Sequence, residues 1–150
     1  MQTFLPFPDF AETASVLDRS RLGKQRVEAL QILRAIHIPT YGWQHHPAVR
    51  MWRGYEEALV CYGVTICDQW IAQGRPDTVR PQILEHAHGG RARAQDELEA
   101  AGKLPPWLGD EAFHRAHRSA LLRKDPDHYG RIFRDVPHDL PYVWPVPKGG

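Results

Sequence analysis

Hydrophobic residues recur every three or four positions along most of this chain, which is the spacing of amphipathic helices. The first hydrophobic stripe consists of Leu22, Ala29, Leu33 and Ile36. It predicts a helix over residues 14–36, with Thr13 or Ser15 as its N-cap. A helix of this length is long enough to cross a small domain.

A second stripe is stronger and is built largely from aromatic residues. It consists of Trp52, Tyr55, Leu59, Tyr62, Ile66 and Trp70. The stripe predicts a long helix that begins near Pro47 or Ala48 and ends at Gly74, with Pro76 just beyond. Residues 39–47, rich in aromatic and imidazole groups, are expected to form the loop between the two helices.

The remaining sequence predicts shorter elements. Gly89 and Gly90 interrupt the pattern over residues 78–101, which favours one broken helix or two short ones. A proline loop over 103–107 precedes a last major helix from about 110 to 125, and a short helix is expected over 126–133. The prolines of residues 137–147 suit an extended strap. No run alternates as a strand does, so the prediction is a compact all-α fold with long irregular loops.

Length and composition suit a globular protein. The chain has 150 residues, of which 42% are hydrophobic and 25% are charged, so residues 1–150 are expected to form a single domain. No apolar run reaches 18 residues and the start lacks a basic, then apolar, signal pattern, so a cytoplasmic protein without membrane contact is expected. Cys61 and Cys67 point to different faces of a helix, which predicts two buried free thiols.

Charge is distributed unevenly along the chain. Residues 19–53 carry seven basic side chains and one acidic side chain, a net of +6, although the whole chain is only +1. The basic residues are Arg19, Arg21, Lys24, Arg26, Arg34, Arg50 and Arg53. Such a segment indicates contact with an extended polyanion, and nucleic acid is the natural candidate.

The single acid of this segment, Glu28, lies beside the hydrophobic stripe of the first predicted helix. Arg21, Lys24 and Gln25 fall on the same flank, so the helix gathers two cations and an amide around one carboxylate. The simpler alternative is an i,i+4 surface pair of Lys24 with Glu28. Arg26 points into the apolar arc and needs a partner there or a path to solvent.

Three sequence blocks extend this picture. The first is Leu17-Asp18, Leu22 and Glu28-Ala29-Leu30; the second is His46-Pro47 with Trp52 and Tyr62 before Gln73-Gly74; the third is Glu111 to Leu122 followed by Arg123-Lys124-Asp125-Pro126. In this order and spacing the blocks resemble the pyrimidine-dimer DNA glycosylase family, typified by phage endonuclease V and including bacterial relatives.

The resemblance implies a DNA glycosylase with an associated abasic-site lyase activity, acting on damaged or modified pyrimidines in double-stranded DNA without metal or other cofactor. We expect a monomer. In that family an α-amino group at the chain start attacks the sugar C1′, expels the base and forms a Schiff base. By motif position the assisting glutamate is Glu28, whose carboxylate can stabilise oxocarbenium charge and move protons. The resemblance also implies that Arg21, Lys24 and Arg26 hold phosphates.

The chain departs from the family pattern at two positions that affect the chemistry. It begins Met1-Gln2, whereas the phage type exposes a small residue once the initiator is removed. The nucleophile is therefore the amine of Met1, which we favour, or that of Gln2, or an activated water. Val27 stands where the family has an arginine directly before the glutamate, and Arg26 lies one position earlier.

Other residues offer further hypotheses. His45 and His46 are suited to contact a phosphate or an extruded base, or to cap the second helix. His114 and His117, at i and i+3, suggest an alternative, a metal-dependent hydrolase. A second alternative is a nucleic-acid-binding module without catalysis. Trp144, in the proline-rich tail, either stacks on a base or pins the tail to the core.

Overall fold

The computed structural model describes residues 1–145, which form eight α-helices, one 3-10 turn and no β-strand. The helices are α1 (Phe10–Val16), α2 (Arg19–His37), α3 (Pro47–Trp52), α4 (Glu56–Ala72), α5 (Arg80–Leu84), α6 (Gln95–Ala100), α7 (Glu111–Lys124) and α8 (Pro126–Tyr129), with the 3-10 turn at His88–Gly90. The predicted all-α class is confirmed.

The helix predicted over residues 14–36 is two helices, because the chain turns at Leu17 and Asp18. Asp18 has an extended backbone and caps α2, since its carboxylate accepts a hydrogen bond from the Arg21 N–H. The predicted cap at Thr13 or Ser15 is therefore wrong. Asp9 caps α1 in the same way, accepting from the Glu12 N–H at 2.9 Å.

The second predicted helix is also divided, into α3 and α4. Gly54 has φ of +91°, a left-handed conformation that glycine adopts readily, and this residue turns the chain between the two helices. His46 caps α3, because its Nδ1 accepts from the Ala48 N–H at 3.0 Å, and Pro47 occupies the first helical position.

The C-terminal half follows the predicted pattern more closely. The interrupted helix over 78–101 is α5, the 3-10 turn and α6, and the last major helix and its short successor are α7 and α8. Residues 140–145 are irregular and are tied to α7 through Arg123, which donates to the carbonyl oxygens of His138 and Leu140. Pro147, part of the predicted strap, lies outside the described residues.

The core is organised around the packing of α2 against α4. Two glycines allow close approach there: a Cβ on Gly23 would lie 2.9 Å from the Trp70 ring of α4, and one on Gly63 would lie 3.2 Å from the Ala29 side chain of α2. Cys61 and Cys67 are buried and free, as predicted. Within residues 1–145, no helix has the length and apolar character needed to cross a membrane.

Candidate active site

The first residues of the chain lie inside the protein, where α2 holds them through Gln25. The Gln25 Oε1 accepts a hydrogen bond from the Phe4 N–H at 2.9 Å, and its Nε2 donates to the Gln2 carbonyl oxygen at 2.9 Å. The Gln25 side chain is only 1% exposed. Its amide therefore positions residues 2–4 and is not directed at Glu28, which differs from the predicted grouping on this flank.

Aromatic residues of α3 and α4 complete this support. The Trp52 Nε1 donates to the Thr3 hydroxyl at 3.0 Å, and the Tyr62 hydroxyl lies 2.8 Å from the Phe4 carbonyl oxygen and 2.7 Å from the Gln25 Oε1. Burial raises the pKa of Tyr62 well above its usual value, and the negative charge of Glu28 raises it further. Tyr62 is thus a neutral hydrogen-bond donor beneath the first residues.

The two histidines of α7 hold Leu5 at both of its backbone polar groups. The Leu5 N–H donates to the His117 Nδ1 at 2.9 Å, and the His114 Nδ1 donates to the Leu5 carbonyl oxygen at 2.8 Å. The His114 Nε2 accepts from the Gly109 N–H, so both ring nitrogens of His114 are used. Burial lowers the pKa of His117 to about 3, with His114 adding to the effect, so His117 stays neutral.

These contacts give His114 and His117 a structural role that leaves the metal-dependent alternative without support. A metal ligand needs a free nitrogen lone pair, and His114 has none to offer in this arrangement. Among residues 1–145, no group of three or more histidine, cysteine, aspartate or glutamate side chains is placed to hold a metal ion.

Glu28 is close enough to Tyr62, which supports this segment, for its charge to raise the pKa of that residue, and it is incompletely partnered. Glu28 is 7% exposed, and its Oε1 is 3.9 Å from the Nζ of Lys24. The Lys24 side chain is itself 74% exposed. The Oε2 of Glu28 is buried and lacks a hydrogen-bond partner, as does the Nε2 of Gln2. A buried carboxylate oxygen without a protein partner is costly to fold, which makes Glu28 a candidate functional residue.

His46 connects the chain start to Glu28 through its electrostatics. Burial lowers the pKa of His46, and the positive charge of the Met1 amine lowers it further, while the Glu28 carboxylate acts in the opposite direction. Both charged groups therefore lie close enough to the imidazole to influence it. Since the His46 Nδ1 accepts from the α3 backbone, a neutral ring carries its proton on Nε2.

The basic residues predicted to bind DNA differ in their distance from Glu28 and in their partners. Lys24 lies nearest Glu28, and Arg21 forms an ion pair with Asp18 at 3.1 Å. Arg53 donates to the carbonyl oxygen of Gln44 in the loop before α3, and His45 is exposed in that loop. Arg50 is half-buried on α3.

Arg26 has a different environment from the other cations of α2. Its guanidinium forms an ion pair with Asp77 and lies over the Trp70 ring, with the Cζ 4.3 Å from the ring centroid. The Arg26 side chain is 14% exposed and that of Asp77 is 1% exposed. The partner that the sequence required for Arg26 is thus supplied within the protein, so we leave Arg26 out of the proposed DNA contacts.

Sequence reasoning did not identify the residues that hold the first segment in place. The helical pattern places Gln25 beside Glu28, and it makes Trp52 and Tyr62 ordinary members of a core stripe. Their hydrogen bonds to residues 2–4 are contacts between positions far apart in sequence, and periodicity carries no information about such contacts.

Five cavities on the surface of residues 1–145 do not border Glu28. They include a groove of 740 Å³ between α1, α4, α5 and the segment before α6, and the four others have volumes of 270 to 600 Å³. A nucleotide therefore reaches the carboxylate only if the side chains that cover it move.

Comparison with known proteins identifies a family for this chain. The family model described as pyrimidine dimer DNA glycosylase matches residues 1–80, a span that contains Met1, Glu28, His46 and all of α2 to α4. No curated protein and no solved structure gives a significant match. Because the family match covers more than half of the chain, the protein belongs to the pyrimidine dimer DNA glycosylase family and is a DNA repair enzyme that acts on DNA.

Proposed function

We propose that this glycosylase excises dimerised pyrimidines from double-stranded DNA and then cleaves the strand as an abasic-site lyase, using the amine of Met1 as nucleophile. The observation that supports the proposal most is the buried, incompletely partnered carboxylate of Glu28 near a chain start that is held by α2, α3, α4 and α7. The match to the family over residues 1–80 supports the same chemistry.

In the proposed reaction the Met1 nitrogen attacks C1′ and the bond from C1′ to the base breaks. The base leaves with the bonding electron pair and takes up a proton. Opening of the sugar ring then gives an imine between the Met1 nitrogen and C1′. Loss of a proton from C2′ and departure of the 3′ phosphate complete a β-elimination, and hydrolysis of the imine returns the amine.

Glu28 is suited to assist at each of these steps. Its negative charge stabilises the positive charge that develops on the sugar as the base departs, and its low exposure strengthens that effect. The unpartnered Oε2 is free to exchange protons with the amine and with O4′. We assign Lys24 and Arg21 to the flanking phosphates, because both lie on the same side of α2 as Glu28.

Reductive trapping tests the imine directly. Wild-type protein with abasic duplex DNA and borohydride is expected to give a covalent adduct, and selective acylation of the N-terminal amine should abolish that adduct. Mass spectrometry of the intact N-terminus shows which residue carries the amine. The absence of both adduct and base release from a thymine-dimer duplex would reject the enzymatic mechanism.

Glu28→Gln separates catalysis from binding. Its excision rate is expected to fall by about 100-fold or more, because a neutral amide neither stabilises developing charge nor accepts a proton. Glu12→Gln, on the exposed surface of α1, is the matched control and should behave as wild type. A non-catalytic binding module would instead show salt-dependent DNA binding that is unchanged in Glu28→Gln, with no strand scission by either protein.

A further inference from the structure

The loop between α2 and α3 carries the most exposed large hydrophobic side chain described in residues 1–145. Trp43 is 64% exposed and has φ of +70°, a backbone conformation that residues other than glycine rarely adopt. An exposed indole and a strained backbone at one residue both act against stability, by roughly 1–3 kcal/mol for the backbone alone. Such a combination persists where the residue has a function.

The loop is held firmly around this exposed ring. The Gln44 Nε2 donates to the carbonyl oxygens of Ile38 and Pro39 at 2.8 and 2.7 Å, and Arg53 donates to that of Gln44. The His46 N–H also donates to the Trp43 carbonyl oxygen at 3.0 Å. The indole therefore projects from a fixed turn, which reduces the entropy lost when it binds a partner.

The position of Trp43 connects it to the proposed reaction. Its ring packs edge to face on His46 with centroids 6.0 Å apart, and His46 is the residue whose pKa responds to both the Met1 amine and Glu28. No acidic residue occurs between Glu28 and Glu56, so the loop and its flanks favour an anionic partner.

We propose that Trp43 is a wedge that enters the base stack of DNA at the lesion and occupies the space left by the extruded nucleotide. Extrusion breaks stacking and pairing, and an inserted aromatic ring replaces part of that lost stacking. The inference rests on the proposed function, since an extruded nucleotide is the reason that a gap exists. It adds a residue that determines which DNA the enzyme can open.

Two readouts test the wedge. The first is single-turnover excision from a thymine-dimer duplex, which is expected to fall by about 10- to 100-fold in Trp43→Ala and to stay near wild type in Trp43→Phe. Trapping on a duplex with a preformed abasic site should change little in either variant, because an abasic nucleotide needs less energy to extrude. Ile71→Ala, an exposed hydrophobic truncation on α4, is the control.

The second readout is tryptophan emission, which does not need catalysis. Binding to a duplex with a tetrahydrofuran abasic analogue should quench the emission of wild-type protein, and most of that quench should be lost in Trp43→Phe. Full excision by Trp43→Ala, or an equal quench in both proteins, would reject the wedge. If wild type binds with the Trp43 quench but shows neither excision nor trapping, the proposed function fails while the wedge stands.

Discussion

Two mostly buried charged side chains on neighbouring flanks of α2 differ in how completely they are partnered. Arg26 is paired with Asp77 and covered by the Trp70 ring, whereas Glu28, two residues later, has only a distant lysine and one oxygen without a partner. Both side chains are charged and mostly buried on the same helix. The difference teaches that the completeness of hydrogen bonding, and not burial or charge alone, separates the structural flank from the flank that we propose is reactive.

The largest effect expected from this comparison is a separation of activity from stability at Glu28. Glu28→Gln should lose about 100-fold or more in excision rate, while its free energy of unfolding stays within about 1 kcal/mol of wild type. The carboxylate makes no close ion pair, so little is lost from the folded state. Urea unfolding checks the stability, and a large destabilisation would show that Glu28 is structural after all.

A second prediction concerns the pH dependence of stability. His117 has a folded pKa of about 3, below its ordinary value of 6.5, so the unfolded state binds the proton first as the pH falls. Stability should therefore decrease from pH 6.5 downward, by on the order of 3 kcal/mol at pH 4. Urea titrations across this range measure the slope.

His117→Gln provides the matched variant for that titration. Glutamine retains an acceptor for the Leu5 N–H but does not titrate, so the part of the slope due to this residue should disappear. An unchanged slope in the variant would place the pH dependence elsewhere.

A third prediction tests the structural flank. Asp77→Asn should lower the free energy of unfolding by about 2 kcal/mol, because it leaves the mostly buried Arg26 guanidinium without its ion-pair partner. Asp68→Asn, which breaks the more exposed pair with Arg80, should change it by less than about 0.5 kcal/mol. Abasic-site trapping should be retained by both folded variants.

The ion pair of Asp77 with Arg26 should also contribute to the pH dependence of stability in acid. Burial opposes ionisation of Asp77, but hydrogen bonds from the Arg80 backbone and from Arg26 outweigh it and lower its pKa. The stability that this pair contributes is thus fully present above the ordinary pKa of an aspartate and is lost as the pH falls through the lowered value. Asp77→Asn should show a weaker decrease over that acidic range than wild type.

The smallest expected effect belongs to Lys24. Its exposed side chain should contribute less than about 0.5 kcal/mol to stability. Lys24→Ala should nevertheless reduce the salt dependence of DNA binding by about one unit of the log–log slope, since one phosphate contact is lost. Lys103→Ala, in an exposed turn after α6, should leave that slope unchanged.

The pattern of the sequence was sufficient to predict the helical class, but not the breaks in the helices. The predicted stripe has no member before Leu22, so its periodicity carries no information about the turn at Asp18. Only the cap formed by Asp18 and its contact with Tyr129, more than a hundred residues away, reveals it. Gly54 is a local signal for the break between α3 and α4, but the aromatic stripe continues across it and predicts one helix.

The contacts that hold the chain start could not be predicted from the sequence for the same reason. Leu5 is held by His114 and His117, and these histidines suggested a metal site because their spacing suits one. Spacing along one helix does not show what lies opposite it. In this protein the opposite partner is a main-chain segment. The N–H and C=O of Leu5 form hydrogen bonds with both imidazole rings.

The enclosed position of the first residues has a practical consequence for recombinant work. Gln2, Thr3 and Leu5 are buried, and an affinity tag fused ahead of Met1 would convert the amine that we propose as nucleophile to an amide. Such a preparation should be inactive in imine trapping even when the helices are intact. Purification handles belong at the other end of the chain.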